Sequence, residues 1–502
     1  MQRRLRYSLV LALLIALMAD YGVARAEVPY RTFSYDTQNR EFFVQPAYIP
    51  ISYIGYNIVP GGPDSPEPTN LNEPADIFID DRDHIYIADT KNNRIIHLDN
   101  NQNLVKIVGD KDGPGKLTEP NGVYVHKDNT IYVADTGNKR IVVFSPSGEF
   151  VREYTRPDTP LLDESFSFEP TKLVVDKRGF LYVATNNGYQ GLIVMDGDKG
   201  EFQGFFGANK VPFNLIDYLK RKFFTEDQLA KEIKKLPGSV SNVAIDSDGL
   251  IYTTSISVAQ GHIKKLNFSG KDLLGEKVYG PKYVTLNEER LFVDVAVDRM
   301  GNISGIEAHS GVIYQYDALG DLLFAFGGKN EGFNKLGLFN YPSSIEVDSK
   351  GNMYIVDRTA SLIQIFRPTE FANLVHKATE LFMLGKYEES EGPWKEVLHL
   401  NSRFYKAHLG LAKSYYRKRQ FDRAMEEFRL AGDPTGYSEA FWQVRLLWIQ
   451  KNFSKYMTGA IILFVVYLLA RYLLRKFIAR RKQYGHTGGT TDARAAHTTA
   501  SR

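Results

Sequence analysis

The sequence predicts a mainly β protein: a six-bladed β-propeller, followed by an all-α helical module and a single transmembrane helix. Three observations predict it. Residues 85–95 (IYIADTKNNRI) and 131–141 (IYVADTGNKRI) say almost the same thing 46 positions apart, and near-identity at such a period means that one structural unit has been copied. After Pro368 the apolar period changes from that of a strand to that of a helix. From Met457 to Leu474 the chain is apolar apart from Arg471, just long enough to cross a bilayer if Arg471 reaches the interface.

The repeated unit recurs six times. Segments 77–88, 123–134, 173–184, 243–254, 295–306 and 345–356 each read as an apolar strand, a turn near Asp and a second apolar strand, most with Tyr. Their turn positions are Asp80, His126, Asp176, Asp246, Asp298 and Asp348, at spacings of 46, 50, 70, 52 and 50. Third and fourth apolar strands follow in most units, for example 141–144 and 104–108. Four strands per unit at this period is the signature of propeller blades. One such sheet leaves both faces open to water, whereas six arranged radially cover one another.

Several residues carry a family likeness. Asp89-Thr90 with Asn92, Asn93 and Arg94 returns as Asp135-Thr136 with Asn138 and Arg140, and Pro74, Pro120, Pro170 and Pro342 open four of the blades. These motifs resemble the NHL repeat family of six-bladed β-propellers, and the Gly-rich stretch 327–342 is similar to its inter-blade connector. The likeness covers roughly residues 70–367 and fades in blades four and five; in blade five Ser304 and Glu307 stand where the others show Tyr and mostly Asp. Asp89, Asp135 and Asp357 are expected to cap backbone amides, with Arg94 and Arg140 bracing the turns. The last blade lacks a fourth strand, so strand-like segments within 28–58 are expected to supply it and close the ring. Between blades three and four, residues 213–236 read as a helical insertion, with Thr225 and Gln228 as a capping box and Leu229, Ile233 and Leu236 on one face. It is expected to be a lid or a surface decoration.

Beyond the propeller, Ala378, Leu381, Tyr387, Ser390 and Trp394 recur 34 residues later as Ala412, Tyr415, Phe421, Ala424 and Phe428. This resembles a short tetratricopeptide (TPR) array, with a third helix at 438–452 capping it through Phe441, Val444 and Trp448. The expected division is therefore a signal peptide at 1–26, a ring-closing segment at 27–69, the propeller at 70–368, the helical module at 369–455, the transmembrane helix at 456–476 and a basic, disordered tail at 477–502. Arg3, Arg4 and Arg6 precede the apolar run of the signal segment, and Ala24-Arg25-Ala26 suits cleavage before Glu27. Arg471, Arg475, Lys476, Arg480, Arg481 and Lys482 flank the span on its far side, which places that side in the cytoplasm and the propeller outside. The chain has no cysteine, so an exported domain must be held by packing alone, a usage that suits a bacterial cell surface.

The functional reading starts from charge. A net charge of +3 gives no reason to expect nucleic acid as partner. Strand counting puts a ring of side chains at the mouth of the central channel, two positions after each blade-opening proline or its equivalent: Asp76, Gly122, Lys172, Asn242, Asp294 and Ser344, with Asn121 beside them. Polar groups converging on a concave mouth are a default ligand site. Oxygens of Asp76, Asn242 and Asp294 are candidates for a calcium ion, although Lys172 would repel a cation, and no cofactor is otherwise expected. His262 and His309 stand alone, and there is no His-Glu-x-x-His stretch, no Gly-x-Ser-x-Gly elbow and no phosphate-binding Gly-rich loop. The expectation is a membrane-anchored extracellular binding or scaffold protein whose propeller recognises a protein, peptide or glycan, with the helical module contacting a membrane partner or acting as a spacer. The alternative is a cell-surface, metal-dependent hydrolase or lyase of the lactonase-like propeller type.

Overall fold

A computed structural model describes residues 28–59, 68–209, 238–275, 277–281, 290–333 and 335–484. The expected signal segment, the insertion at 213–236 and the tail beyond residue 484 lie outside the described residues. The chain falls into two compact units divided between Leu411 and Ala412.

The first unit opens with β1 (Phe33–Tyr35), β2 (Glu41–Phe43) and β3 (Tyr48–Ile54). Blade one is β4 (Asp76–Ile79), β5 (Ile85–Asp89), β6 (Arg94–Leu98) and β7 (Leu104–Val108). Blade two is β8 (Gly122–Val125), β9 (Ile131–Asp135), β10 (Arg140–Phe144) and β11 (Phe150–Tyr154). Blade three is β12 (Pro170–Val175), β13 (Phe180–Thr185), β14 (Leu192–Asp196) and β15 (Phe202–Phe206). Among the described residues blade four shows β16 (Val240–Ile245), β17 (Ile251–Ser255) and β18 (Ile263–Leu266). Blade five holds β19 (Phe292–Val297), β20 (Ile303–Glu307), β21 (Val312–Tyr316) and β22 (Leu322–Gly327), and blade six β23 (Pro342–Val347), β24 (Met353–Asp357) and β25 (Leu362–Pro368).

The innermost strands β4, β8, β12, β16, β19 and β23 lie side by side in that order, and β23 returns to β4, so the ring is closed. Its closure is the expected one. β3 pairs antiparallel with β25, from Tyr48↔Pro368 to Ile54↔Ile363, and becomes the fourth strand of blade six. β1 lies in the strand-like part of 28–58, whereas β2 and the pairing of the β1–β2 hairpin are not legible in the sequence. The hairpin adds to blade five through Phe33↔Ala325 and covers the edge of β22.

Apolar side chains of the second strands, such as Ile87, Val133, Val183 and Ile355, are wholly buried between blades. The Asp-Thr turns fasten one blade to the next. Asp89 accepts from the amide of Asn72 (2.8 Å) and from Arg94 Nε (2.8 Å), while Thr90 Oγ1 donates to the carbonyl of Pro120 (2.8 Å) in blade two. Asp135 repeats this with the amide of Thr118 (2.7 Å) and Arg140 Nε (2.8 Å), and Thr136 Oγ1 reaches the Pro170 carbonyl (2.6 Å). Asp357 takes the amides of Asn340 and Tyr341. These aspartates are therefore capping groups, as expected. In blade five the longer Glu307 does the same work, accepting from the amides of Leu291 (3.0 Å) and Ser310 (2.8 Å).

Helices α1 (Glu370–Met383), α2 (Tyr387–Leu400) and α3 (Tyr405–Arg417) follow. Thr369 caps α1 by accepting from the amide of Ala372 (3.3 Å), and its own amide donates to the Ala47 carbonyl (2.9 Å). The helices are tied to blade five. His376 Nε2 meets Gln315 Oε1 (2.7 Å), Lys406 Nζ pairs with the buried Asp317 (2.6 Å), and Phe324 packs with Phe371 and Phe404. At Gly410 a Cβ would lie 2.1 Å from the indole nitrogen of Trp394, so only glycine lets α3 approach α2 there.

The second unit holds the end of α3, then α4 (Phe421–Ala431) and α5 (Pro434–Tyr484). Positions 34 residues apart are buried alike, Ala378 with Ala412, Ser390 with Ala424 and Trp394 with Phe428. The unit boundary falls within α3, and the buried Lys406–Asp317 pair and the Phe324 cluster bind the helices before it to the propeller. Residues 438–452 and the apolar stretch from Met457 lie on one helix. α5 runs 51 residues without a break, about 76 Å, because no proline interrupts it after Pro434. Among the described residues it is the one helix long and apolar enough to cross a membrane, and its apolar stretch is wholly exposed.

Candidate functional site on the propeller axis

The six ring positions chosen from the blade-opening prolines occupy one register. Asp76, Gly122, Lys172, Asn242, Asp294 and Ser344 each pair with the penultimate residue of the neighbouring second strand, from Asp76↔Ala88 to Ser344↔Val356. They therefore form one tier around the axis, near the end where every innermost strand begins, here the upper end.

Four of these side chains, Asp76, Lys172, Asp294 and Ser344, are buried and bonded to one another. Lys172 Nζ pairs with Asp76 Oδ1. Ser344 Oγ lies 2.8 Å from Asp76 Oδ1 and 2.7 Å from Asp294 Oδ2, and the amide of Val123 donates to Asp76 Oδ2 (2.9 Å). Asp294 also accepts from the amides of Ile345 (2.8 Å) and Val295 (2.8 Å), and Asn242 from its neighbour Val243. At Gly122 a Cβ would meet the Thr171 carbonyl oxygen at 2.4 Å, so blades two and three close together only because glycine stands there. Asn121 is half-buried, and its Oδ1 has no partner.

Charge explains the pattern. Burial works against the cation of Lys172, but the charges of Asp76, Asp294 and Glu346 outweigh it and hold its pKa above the ordinary value. Burial, with the Asp76 charge, raises the Asp294 pKa against the pull of Lys172. The Ser344 hydroxyl stands between the two carboxyl groups, within hydrogen-bond distance of both, and the Lys172 cation offsets the charge of Asp76. The carboxylates named as calcium candidates have their oxygens taken by Lys172, Ser344 and backbone amides. Among the described residues no three His, Asp or Glu side chains gather as metal ligands.

Two residues further along each innermost strand lies a second tier that the sequence reading did not single out: Phe78, Tyr124, Val174, Ala244, Ala296 and Glu346. It encloses a cavity of about 420 Å³, which opens at the lower end among the turns at Asp80, His126, Asp246, Asp298 and Asp348. The expected ligand site is at the Asp76 end of the axis; this cavity opens at the other end. The signal available was the period of two along a strand, which turns residues 76 and 78, or 344 and 346, toward the same side. The turn aspartates have structural partners: Asp80 accepts from the amides of Arg82 (2.9 Å) and His84 (2.9 Å), and Asp246 and Asp348 repeat this.

The isolated histidines lie off the axis. His262 is buried beside Phe292, and burial pushes its pKa down to about 4. His309 is exposed.

Against known proteins, the NHL repeat model matches residues 71–98 and 117–144, the first three strands of blades one and two. A search of curated proteins found no match. Among solved structures, the chain is similar to virginiamycin B lyase from Staphylococcus aureus, at 12% identity and a TM-score of 0.38, covering 67% of this chain and 94% of that one. It is also similar to a structural-genomics protein of unknown function from Bacteroides thetaiotaomicron, at 16% identity and a TM-score of 0.43, covering 65% of this chain and 77% of that one. At these identities and scores the likenesses carry no argument about activity.

Proposed function

We propose that this NHL-repeat propeller is a membrane-anchored extracellular binding protein, held by the apolar part of α5, whose upper face recognises a protein, peptide or glycan. The observation that carries this reading is the closed network of Asp76, Lys172, Asp294 and Ser344. Groups that act on a substrate must be free to meet it, whereas these are engaged with one another and with backbone amides. They form the floor of the upper face, with the free carbonyl of Asn121 beside it, and leave recognition to the surrounding loops.

Those loops offer suitable material. Tyr56, Phe333 and Tyr341 are all exposed, and all stand at the upper end of blades five and six, where β3 and β22 finish and β23 begins. Aromatic rings with one polar tip suit stacking on a sugar or packing against a protein. A cysteine-free chain gives a direct test of orientation and binding. A single cysteine at Asn187 should react with a membrane-impermeant maleimide on intact cells, and one at Thr490 only after permeabilisation. Crosslinks formed on intact cells from the upper face should fall sharply in the Tyr56→Ala, Tyr341→Ala double variant. The reverse labelling pattern, or crosslinks unchanged by both substitutions, would refute the proposal.

A further inference from the structure

The cavity at the lower end of the axis has no part in that reading, and its lining is unusual. Phe78 and Tyr124 stand edge to face at 5.2 Å on one side, and the short Val174, Ala244 and Ala296 leave the space opposite them. The Tyr124 hydroxyl is committed to the Val175 carbonyl (3.1 Å). Glu346 is different. Among the described residues its one hydrogen bond comes from the amide of Val347 at 3.4 Å, too long to count for much, and it lines the cavity.

The charged groups facing Glu346 are Lys172, Asp294 and Asp76. One lysine thus serves three carboxyl groups. Asp76 and Asp294 are engaged with Lys172, Ser344 and backbone amides, whereas Glu346 has only the distant Val347 amide. A cation placed against Glu346 supplies the missing partner, and an anion would add to an excess of carboxylates that extends to the cavity rim, where they outnumber cations. The walls are apolar and aromatic, which suits an organic cation better than a hydrated metal ion.

We propose that the axial cavity binds a small organic cation, an ammonium group on a flat apolar body, with the Glu346 carboxylate as its counter-ion. The volume, about 420 Å³, lies in the range of small-molecule sites. Burial first, then the charges of Asp294 and Asp76 against that of Lys172, raises the Glu346 pKa to about 8. At neutral pH the free site is protonated, so binding a cation releases that proton, and affinity rises with pH until Glu346 is fully ionised.

Titration calorimetry on the full chain in detergent tests this, with phenethylammonium and phenylacetate as probes of similar shape and opposite charge. Phenethylammonium should bind roughly tenfold or more tightly at pH 8.5 than at pH 6 and release close to one proton near pH 7, read from the heat in buffers of different ionisation enthalpy. Phenylacetate should not bind. Glu346→Gln should abolish both the affinity at pH 8.5 and the pH dependence. Ala244→Leu, which keeps the carboxyl and fills the cavity, should abolish binding, so the test survives if the first variant does not fold. Preference for phenylacetate, pH-dependent ammonium binding retained in either variant, or no heat from phenethylammonium at about 10 mM, where even a Kd of 1 mM would be seen, would overturn the proposal. Variants of Tyr56 and Tyr341 leave this site untouched, so it stands or falls separately from the upper face.

Discussion

The two ends of the propeller axis are built from the same six strands, two residues apart, and differ in almost every physical respect. The upper tier is polar and closed: Asp76, Lys172, Asp294 and Ser344 complete one another. The lower tier is mostly apolar and leaves a cavity, with Glu346 as its one weakly bonded polar group. The difference shows that convergence of polar residues does not by itself make a site. Buried charges that find partners become structure, and a buried charge with only a weak partner is where a ligand has most to gain.

That contrast depends on a closed ring, so the largest effect is expected from opening it. Removing residues 28–54 strips β25 of β3 and β22 of the β1–β2 hairpin. Thermal unfolding followed by circular dichroism should then lose its cooperative transition, and a sharp transition would mean that the ring does not need this closure. A smaller effect is expected within the upper tier. Gly122→Ala forces a methyl group against the Thr171 carbonyl at 2.4 Å and should cost about 1–3 kcal/mol in denaturant unfolding, whereas Ala244→Gly in the roomy lower tier should cost about 1 kcal/mol or less.

The lower tier has its own signature in pH. The folded protein holds the Glu346 proton up to about pH 8, whereas an unfolded chain releases it near the ordinary value of 4.5. The folded state thus binds more protons in between, so the Glu346 contribution to stability falls as pH rises from about 4.5 to 8. Glu346→Leu should remove that fall and leave the variant more stable than the parent at pH 8, by about 1–3 kcal/mol; parallel pH profiles for the two proteins would contradict it. The smallest effect belongs to the exposed ion pair of Lys91 with Glu119 (2.7 Å) across blades one and two. Lys91→Ala should leave the melting temperature unchanged within error, because water screens such pairs.

Much of this was legible in the sequence. The near-copy at residues 85–95 and 131–141 revealed the blade, and the prolines at 74, 120, 170 and 342 fixed the register well enough to find the whole upper tier. The capping role of Asp89 and Asp135 followed from their place at the end of a strand. What was not legible depends on three-dimensional pairing. Nothing in the order of residues says that Lys172 meets Asp76, 96 positions away, and so nothing distinguished an open mouth from a closed floor. Glu346 reads as an ordinary alternating residue of its strand, and the sequence does not show that Ala296 on the adjacent innermost strand and Ala244 on the one beyond it leave a cavity beside it. Strand β2, three residues long, is too short to show a period, and nothing in residues 30–35 says that β1 pairs with blade five rather than blade six. The continuity of α5 was missed because the change from aromatic to aliphatic residues near Met457 looks like a boundary, although only proline or a turn would have made it one.

The most direct test of the central claim is a double-mutant cycle on the upper tier, with Asp76→Asn, Lys172→Met and both together, read by denaturant unfolding. If the tier is a self-completing buried network, each single substitution should cost about 3–5 kcal/mol and the double variant clearly less than the two combined. Single variants with near-native stability, or losses that simply add, would mean that Asp76 and Lys172 are not partners and that the upper end of the axis is open to a ligand after all.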